Sequence, residues 1–81
     1  MTTEYEHIKF VMDGLNHETN PLTLIYHCIN KSGEGLGLVR YYGEWKQYCY
    51  FDLCEGVYSQ SCLTDIVDFL YQLNSLKNNP K

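Results

Sequence analysis

The spacing of hydrophobic residues changes once along this chain, and that change restricts the fold more than any motif does. In residues 61–80, "SCLTDIVDFLYQLNSLKNNP", Leu63, Ile66, Val67, Leu70 and Leu73 recur at three- and four-residue steps, with Phe69 and Leu76 widening the stripe. That is one face of a helix. Ser61 is placed to cap its start and Asp65 sits in the positive first turns. Lys77 lies near the negative end, Asn78 and Asn79 suit a left-handed C-cap, and Pro80 stops the helix. Upstream the step is two. "EYEHIKFVM" (4–12) alternates Ile8, Phe10 and Met12 against Tyr5, His7, Lys9 and Val11. "DGLNHETNP" (13–21) has the composition of a loop. "LTLIYHCIN" (22–30), "LGLVRYY" (36–42) and "WKQYCYF" (45–51) are β-branched and aromatic runs, and "VYS" (57–59) makes a short fifth strand. Strands followed by one helix predict an α+β fold. Residues 1–81 then form a single domain, an antiparallel meander of four to five strands with a C-terminal helix on one face.

The segment "YYGEWKQYCYF" (41–51) places six aromatics in eleven positions, more than one buried face needs. Gly43-Glu44 fits a two-residue type II′ turn, which wants Gly first. That turn pairs Leu36/Phe51, Leu38/Cys49, Arg40/Gln47 and Tyr42/Trp45 on one face, and Gly37/Tyr50, Val39/Tyr48 and Tyr41/Lys46 on the other. Leu36, Leu38, Cys49 and Phe51 look most like core, so the helix is expected over them. Tyr41, Tyr48 and Tyr50 then lie on the bare face, with Tyr50 over Gly37, and Tyr42 and Trp45 at the hairpin tip. Exposed Tyr and Trp beside an Arg is the make-up of a binding hot spot. Small sheets also use Tyr for cross-strand packing with the hydroxyl in water. The candidate binding residues are Arg40, Tyr41, Tyr42, Trp45, Tyr48 and Tyr50.

Charge narrows the partner class. A net charge of −4 with scattered acids argues against direct nucleic-acid binding, which needs a basic surface. "MTTEYEHIKF" has no signal-peptide pattern and no stretch reaches transmembrane length. The expectation is a cytoplasmic protein with free thiols at Cys28, Cys49, Cys54 and Cys62, off the membrane.

Catalytic motifs are weak. His7, His17 and His27 recur every ten residues across different elements, and no CxxC or HxxxH pair offers the knuckles a zinc site uses. Cys62 at a helix start suits a thiolate, but only His27 is available as its base. "GEGLG" (33–37) lacks the strand-loop-helix setting and the Lys-Ser/Thr of a phosphate loop. The reading is a non-enzymatic protein with no cofactor and no metal.

"LGLVRYYGEWKQYCYF" and "VYSQSCLTDIVDFLYQLN" together resemble a group of small bacteriophage and prophage proteins of unassigned activity. The shared positions are Tyr42, Gly43, Trp45, Gln47, Tyr48, Cys49, Phe51, Cys62, Leu63, Ile66, Leu73 and Asn74. This chain has Lys46 where Arg is usual and Glu44 where Pro is common, and it lacks the Pro that often follows the aromatic pair. Residues 1–35 fall outside the likeness. The resemblance implies an accessory protein in the bacterial cytoplasm and brings no catalytic residue with it. The expected function is stoichiometric inhibition of a bacterial host protein, such as a CRISPR or restriction component. Two alternatives stand beside it: a small-molecule or nucleotide binder holding ligand between aromatics, and a structural homodimer built by edge-strand pairing.

Overall fold

A computed structural model describes residues 1–53 and 55–77 of the chain. Strands β1 (Ile8–Asn16), β2 (Thr23–Asn30), β3 (Gly35–Tyr42) and β4 (Gln47–Asp52) form one sheet in chain order, all neighbours antiparallel. Helix α1 (Gln60–Lys77) lies on one face. This is the α+β meander expected from the change of hydrophobic step. Cys54, Asn78, Asn79 and Pro80 fall outside the described residues, as does the side chain of Lys77.

Boundaries moved where Gly and turn residues were read as breaks. β1 continues past Met12 to Asn16, with a register shift between Met12 and Leu15. Gly14 sits at φ 122° there, so the Asp-Gly pair marks a bulge inside the strand, where a loop was expected. Residues 57–59 form no fifth strand. Val57 points fully into water, and Tyr58 turns inward to hydrogen-bond with Tyr50, Asp52 and the Leu36 carbonyl. The helix starts two residues earlier than a cap at Ser61 implies. Ser59 is the cap, its Oγ accepting from the Cys62 amide at 3.2 Å.

The β3–β4 hairpin closes through four residues, 43–46, instead of a two-residue turn. The amides of Trp45 and Lys46 both donate to the Tyr42 carbonyl, and Lys46 takes the left-handed φ of 55°. The longer loop slides the register by two, pairing Leu38 with Phe51, Arg40 with Cys49 and Tyr41 with Tyr48. An even slide leaves every side chain on its own face.

The helix covers the opposite face from the one expected. Phe10, Cys28, Tyr26, Val39, Tyr48 and Tyr50 share a face through their cross-strand pairs, and α1 packs on it. The core is Ile8, Phe10, Tyr26, Cys28, Val39, Ile66, Phe69 and Leu73. The hairpin alone pointed to Leu38 and Phe51. Across the whole sheet, though, their face is interrupted by Lys9, His27 and Arg40, whereas the Tyr/Val face meets the large apolar residues of β1 and β2. Burying charged heads under a helix would cost more than burying phenols that find partners.

Phe69 anchors the contact. Its ring is fully buried, stacked on Phe10 with centroids 4.1 Å apart and planes 5° off parallel, and it meets the edge of Tyr26 at 5.0 Å. Such pairs add roughly 0.5–1.5 kcal/mol beyond area burial. The buried stripe therefore runs Ile66–Phe69–Leu73, flanked by Cys62 and Leu70, while Leu63 and Val67 stay exposed. Phe69 was read as the margin of the helical face and is its centre.

Two helix amides close the outer strands. Asn74 takes the backbone of Tyr48 on edge strand β4, accepting its N–H at 2.7 Å and donating to its C=O at 3.3 Å. Gln72 does the same for Thr2, at 2.8 and 2.9 Å. Thr3 in turn accepts from the Phe10 amide along the outer side of β1. Asn74 thus occupies the Tyr48 position of the β4 edge and Thr3 the Phe10 position of the β1 edge, and with the bulge in β1 this narrows the backbone open to a twin chain.

Phe69→Ala is expected to lower unfolding free energy by about 3–5 kcal/mol in a denaturant titration. Asn74→Ala is expected to cost about 1–2 kcal/mol, because it leaves two backbone groups of an edge strand without their partner. Gly37→Ala should also destabilise. An added Cβ would stand 2.5 Å from the Tyr50 ring and 2.6 Å from the Phe51 carbonyl oxygen.

Candidate functional site

Alternation along each strand puts a second set of side chains on the face away from α1. By register these are Lys9 and Val11 from β1, His27 and Ile29 from β2, Leu38 and Arg40 from β3, and Cys49 and Phe51 from β4. Among the described residues no helix or strand covers them. The paired positions of this open face hold two cations and no carboxylate, in a chain whose net charge is −4.

The hairpin organises the most distinctive part of that face. The Arg40 guanidinium lies 4.0 Å above the Phe51 ring. Tyr42 meets Phe51 at 5.8 Å and Trp45 at 5.2 Å, both edge to face. Trp45, Tyr42, Phe51 and Arg40 thus form one continuous row, with Trp45 65% exposed at its end. The Tyr42 hydroxyl donates to Glu44 Oε1 at 2.9 Å, which fixes the ring and raises the phenol above its ordinary pKa. The four-residue turn is what tips Trp45 out of the strand and against Tyr42.

Of the six residues expected to bind, the structure gathers Arg40, Tyr42 and Trp45 on this row. Tyr41 stands at the same end of the sheet on the helix side, its ring edge to face with Tyr48 at 5.6 Å. Tyr48 and Tyr50 pack against the core beneath α1, so they leave the candidate surface. Phe51, read as core, joins it. Its position opposite Leu38 and on the Arg40 face was visible in the alternation of β4, but its neighbours were not.

A depression of 410 Å³ lies beside the row, between residues 16–19 and the hairpin tip. Arg40, Tyr41 and Tyr42 line it together with Glu18 and Glu44. The segment is pinned by Asn16, whose Oδ1 accepts from the Glu18 amide, and by the Thr19 hydroxyl donating to the Asn16 carbonyl.

The cysteines and histidines do not meet in a reactive pair. His27 lies on the open face opposite Leu38, whereas Cys62 packs against the core from the helix, so the sheet separates them. Among the described residues no three His, Cys, Asp or Glu side chains converge as a metal site, and no helix is long and apolar enough to cross a membrane.

On the helix side the hydroxyls of Tyr5, Tyr50 and Tyr58 are paired. Tyr50 and Tyr58 share a bond of 2.7 Å, and Tyr58 donates to Asp52 at 2.7 Å. Tyr5 donates to Asp68 at 2.7 Å. Burial pushes the Cys28 thiol up to about 11, with the Tyr50 hydroxyl pulling the other way. Burial and the bond to Asp52 push Tyr58 up to about 12, against the opposing bond from Tyr50. Burial and Tyr58 raise Tyr50 as well. Each of these groups holds its proton more tightly folded than unfolded, so folding gains their contribution only while the unfolded chain is still protonated. The contribution of Cys28 and Tyr58 to stability is expected to be full below pH 9.0 and to be lost as pH rises through about 11 for Cys28 and about 12 for Tyr58. Urea titrations across that range check this, and Cys28→Ala should remove the lower part of the decline.

No protein-family model, no curated protein and no solved structure matches this chain.

Proposed function

We propose that this chain is a non-enzymatic binding protein that acts by occupancy, docking a bacterial host protein with its open sheet face and hairpin tip. The observation that carries this reading is the row Trp45–Tyr42–Phe51–Arg40. Large rings and a guanidinium are held against one another before any partner arrives. Preorganised Trp, Tyr and Arg supply most of the energy at protein interfaces because little side-chain entropy remains to be lost. The surface around the row, exposed at Val11 and half-buried at Ile29, Leu38 and Cys49, supplies the water-excluding surround. Lys9 and Arg40, with no carboxylate at the paired positions, favour a partner patch that is apolar with acidic groups. The likeness to phage and prophage proteins supplies the setting. In that setting the proposed target is a host factor, for example a CRISPR or restriction component, which the chain's small size and acidity would suit.

Nucleotide binding is favoured less. The depression beside the row presents Glu18 and Glu44, which would repel phosphate as it approached Arg40.

Affinity capture from bacterial lysate, with retained proteins quantified, tests the proposal. Wild type should retain a host protein, and a variant carrying Arg40→Glu and Trp45→Ala should lose it by at least about tenfold. Tyr71→Ala, an exposed change on the outer side of α1, should retain it. Equal capture by the double variant and wild type would sink the assignment of this face.

A further inference from the structure

A second surface on the molecule is left bare, on the helix side of the sheet around the last turn of α1. The register shift in β1 brings Leu15 opposite Leu24, next to the pairing of Met12 with Tyr26. Leu24, Tyr26, Tyr48, Leu73, Leu76 and Met1 line a groove of 300 Å³ there. Six of the aliphatic side chains in and around it stand out in water. Met1 is 62% exposed, Met12 57%, Leu15 47%, Leu22 49%, Leu24 37% and Leu76 64%. In the ring row of the open face Tyr42, Phe51 and Arg40 are half-buried, and Trp45 alone is exposed. Together the six aliphatic side chains present on the order of 500 Å² of apolar surface, a size that marks a contact site on a soluble chain. It is comparable to the roughly 800 Å² per partner of a standard stable interface.

We infer that this aliphatic groove is a homodimer interface, occupied by the same groove of a second copy across a two-fold axis. Charge selects the occupant. The six side chains are themselves uncharged, so contact between them and their copies sets no like charges together, with the Met1 ammonium and Asp13 at the margin of the patch. The open sheet face fails that condition, since Lys9 and Arg40 of one copy would approach those of the other. The sheet edges are less open to it, with Tyr48 held by Asn74 and the Phe10 amide on the outer side of β1 held by Thr3. Methionine at two of the six positions suits a surface that must fit a facing copy of itself, because an unbranched thioether adapts its shape. The arrangement sets two molecules together on their helix sides and leaves both open sheet faces outward. A dimer of that kind presents two copies of the Arg40–Trp45 row and gains by bivalency against a partner that is itself paired or repeated. The inference stands on the groove alone and does not depend on what the open face binds.

Sedimentation velocity over a dilution series, with backbone amide NMR shifts followed over the same series, tests it. Wild type is expected to reach twice the monomer mass at high micromolar concentration and to show its dilution shifts at Met12, Leu15, Leu24 and Leu76. Met12→Asp and Leu76→Glu, combined, should halve the mass while the far-ultraviolet spectrum stays that of wild type, and the melting temperature should match that of wild type at dilutions where both are monomeric, as both side chains are solvent-exposed in the single chain. A wild-type chain that stays monomeric throughout overturns the proposal. So does a dimer that survives in the combined variant, or one whose dilution shifts fall at Leu38, Arg40 and Phe51, which would move the self-contact to the open face.

Discussion

The stack of Phe69 on Phe10 is the contact on which the rest of this structure depends. It joins the helix to the first strand, and with Tyr26 at the ring edge it centres α1 over one face of the sheet. Once that face is chosen the other is left uncovered, because α1 is the one helix among the described residues. The surface proposed for binding is therefore a by-product of which face the single helix could bury at least cost. Lys9, His27 and Arg40 made the open face the dearer one to cover.

The excess of tyrosine over phenylalanine follows from the same choice. A thin core borders water within one side chain of almost any point. A ring placed there needs an apolar body and a polar tip. Tyr5, Tyr50 and Tyr58 each reach a carboxylate or another hydroxyl at that border. Tyr42 does so at the hairpin, where its bond to Glu44 turns an edge ring into part of the exposed row. One residue type thus serves both as core filler and as interface, and its position relative to α1 separates the two uses.

The edges and faces divide the possible contacts. Asn74 and Gln72 each bind an N–H and a C=O of one residue, imitating a neighbouring strand. Asn74 thereby occupies one position of the β4 edge, and Gln72 holds the segment that runs beside β1. What remains available are side-chain surfaces: a cationic aromatic face on one side of the sheet and an uncharged aliphatic groove on the other. The two differ in charge, and so they suit different occupants.

Local pattern determined a great deal here. The change from a two-residue to a helical step set the order of elements and the α+β class. Strand alternation assigned Val39, Tyr48 and Tyr50 to one face and Leu38, Arg40, Phe51 to the other, and it placed Tyr50 over Gly37, because parity survives an even slip of register. The site was half legible for the same reason: Arg40, Tyr42 and Trp45 were read as neighbours on the hairpin. Asp13-Gly14 was misread because a bulge and a loop use the same residues, and Ser59 and Ser61 offered equivalent caps. Which face the helix would cover was not in the hairpin at all. It depended on summing the side chains of four strands with Phe69, a comparison between partners distant in sequence. That sum sent Tyr48 and Tyr50 beneath the helix and brought Phe51 to the surface beside Arg40.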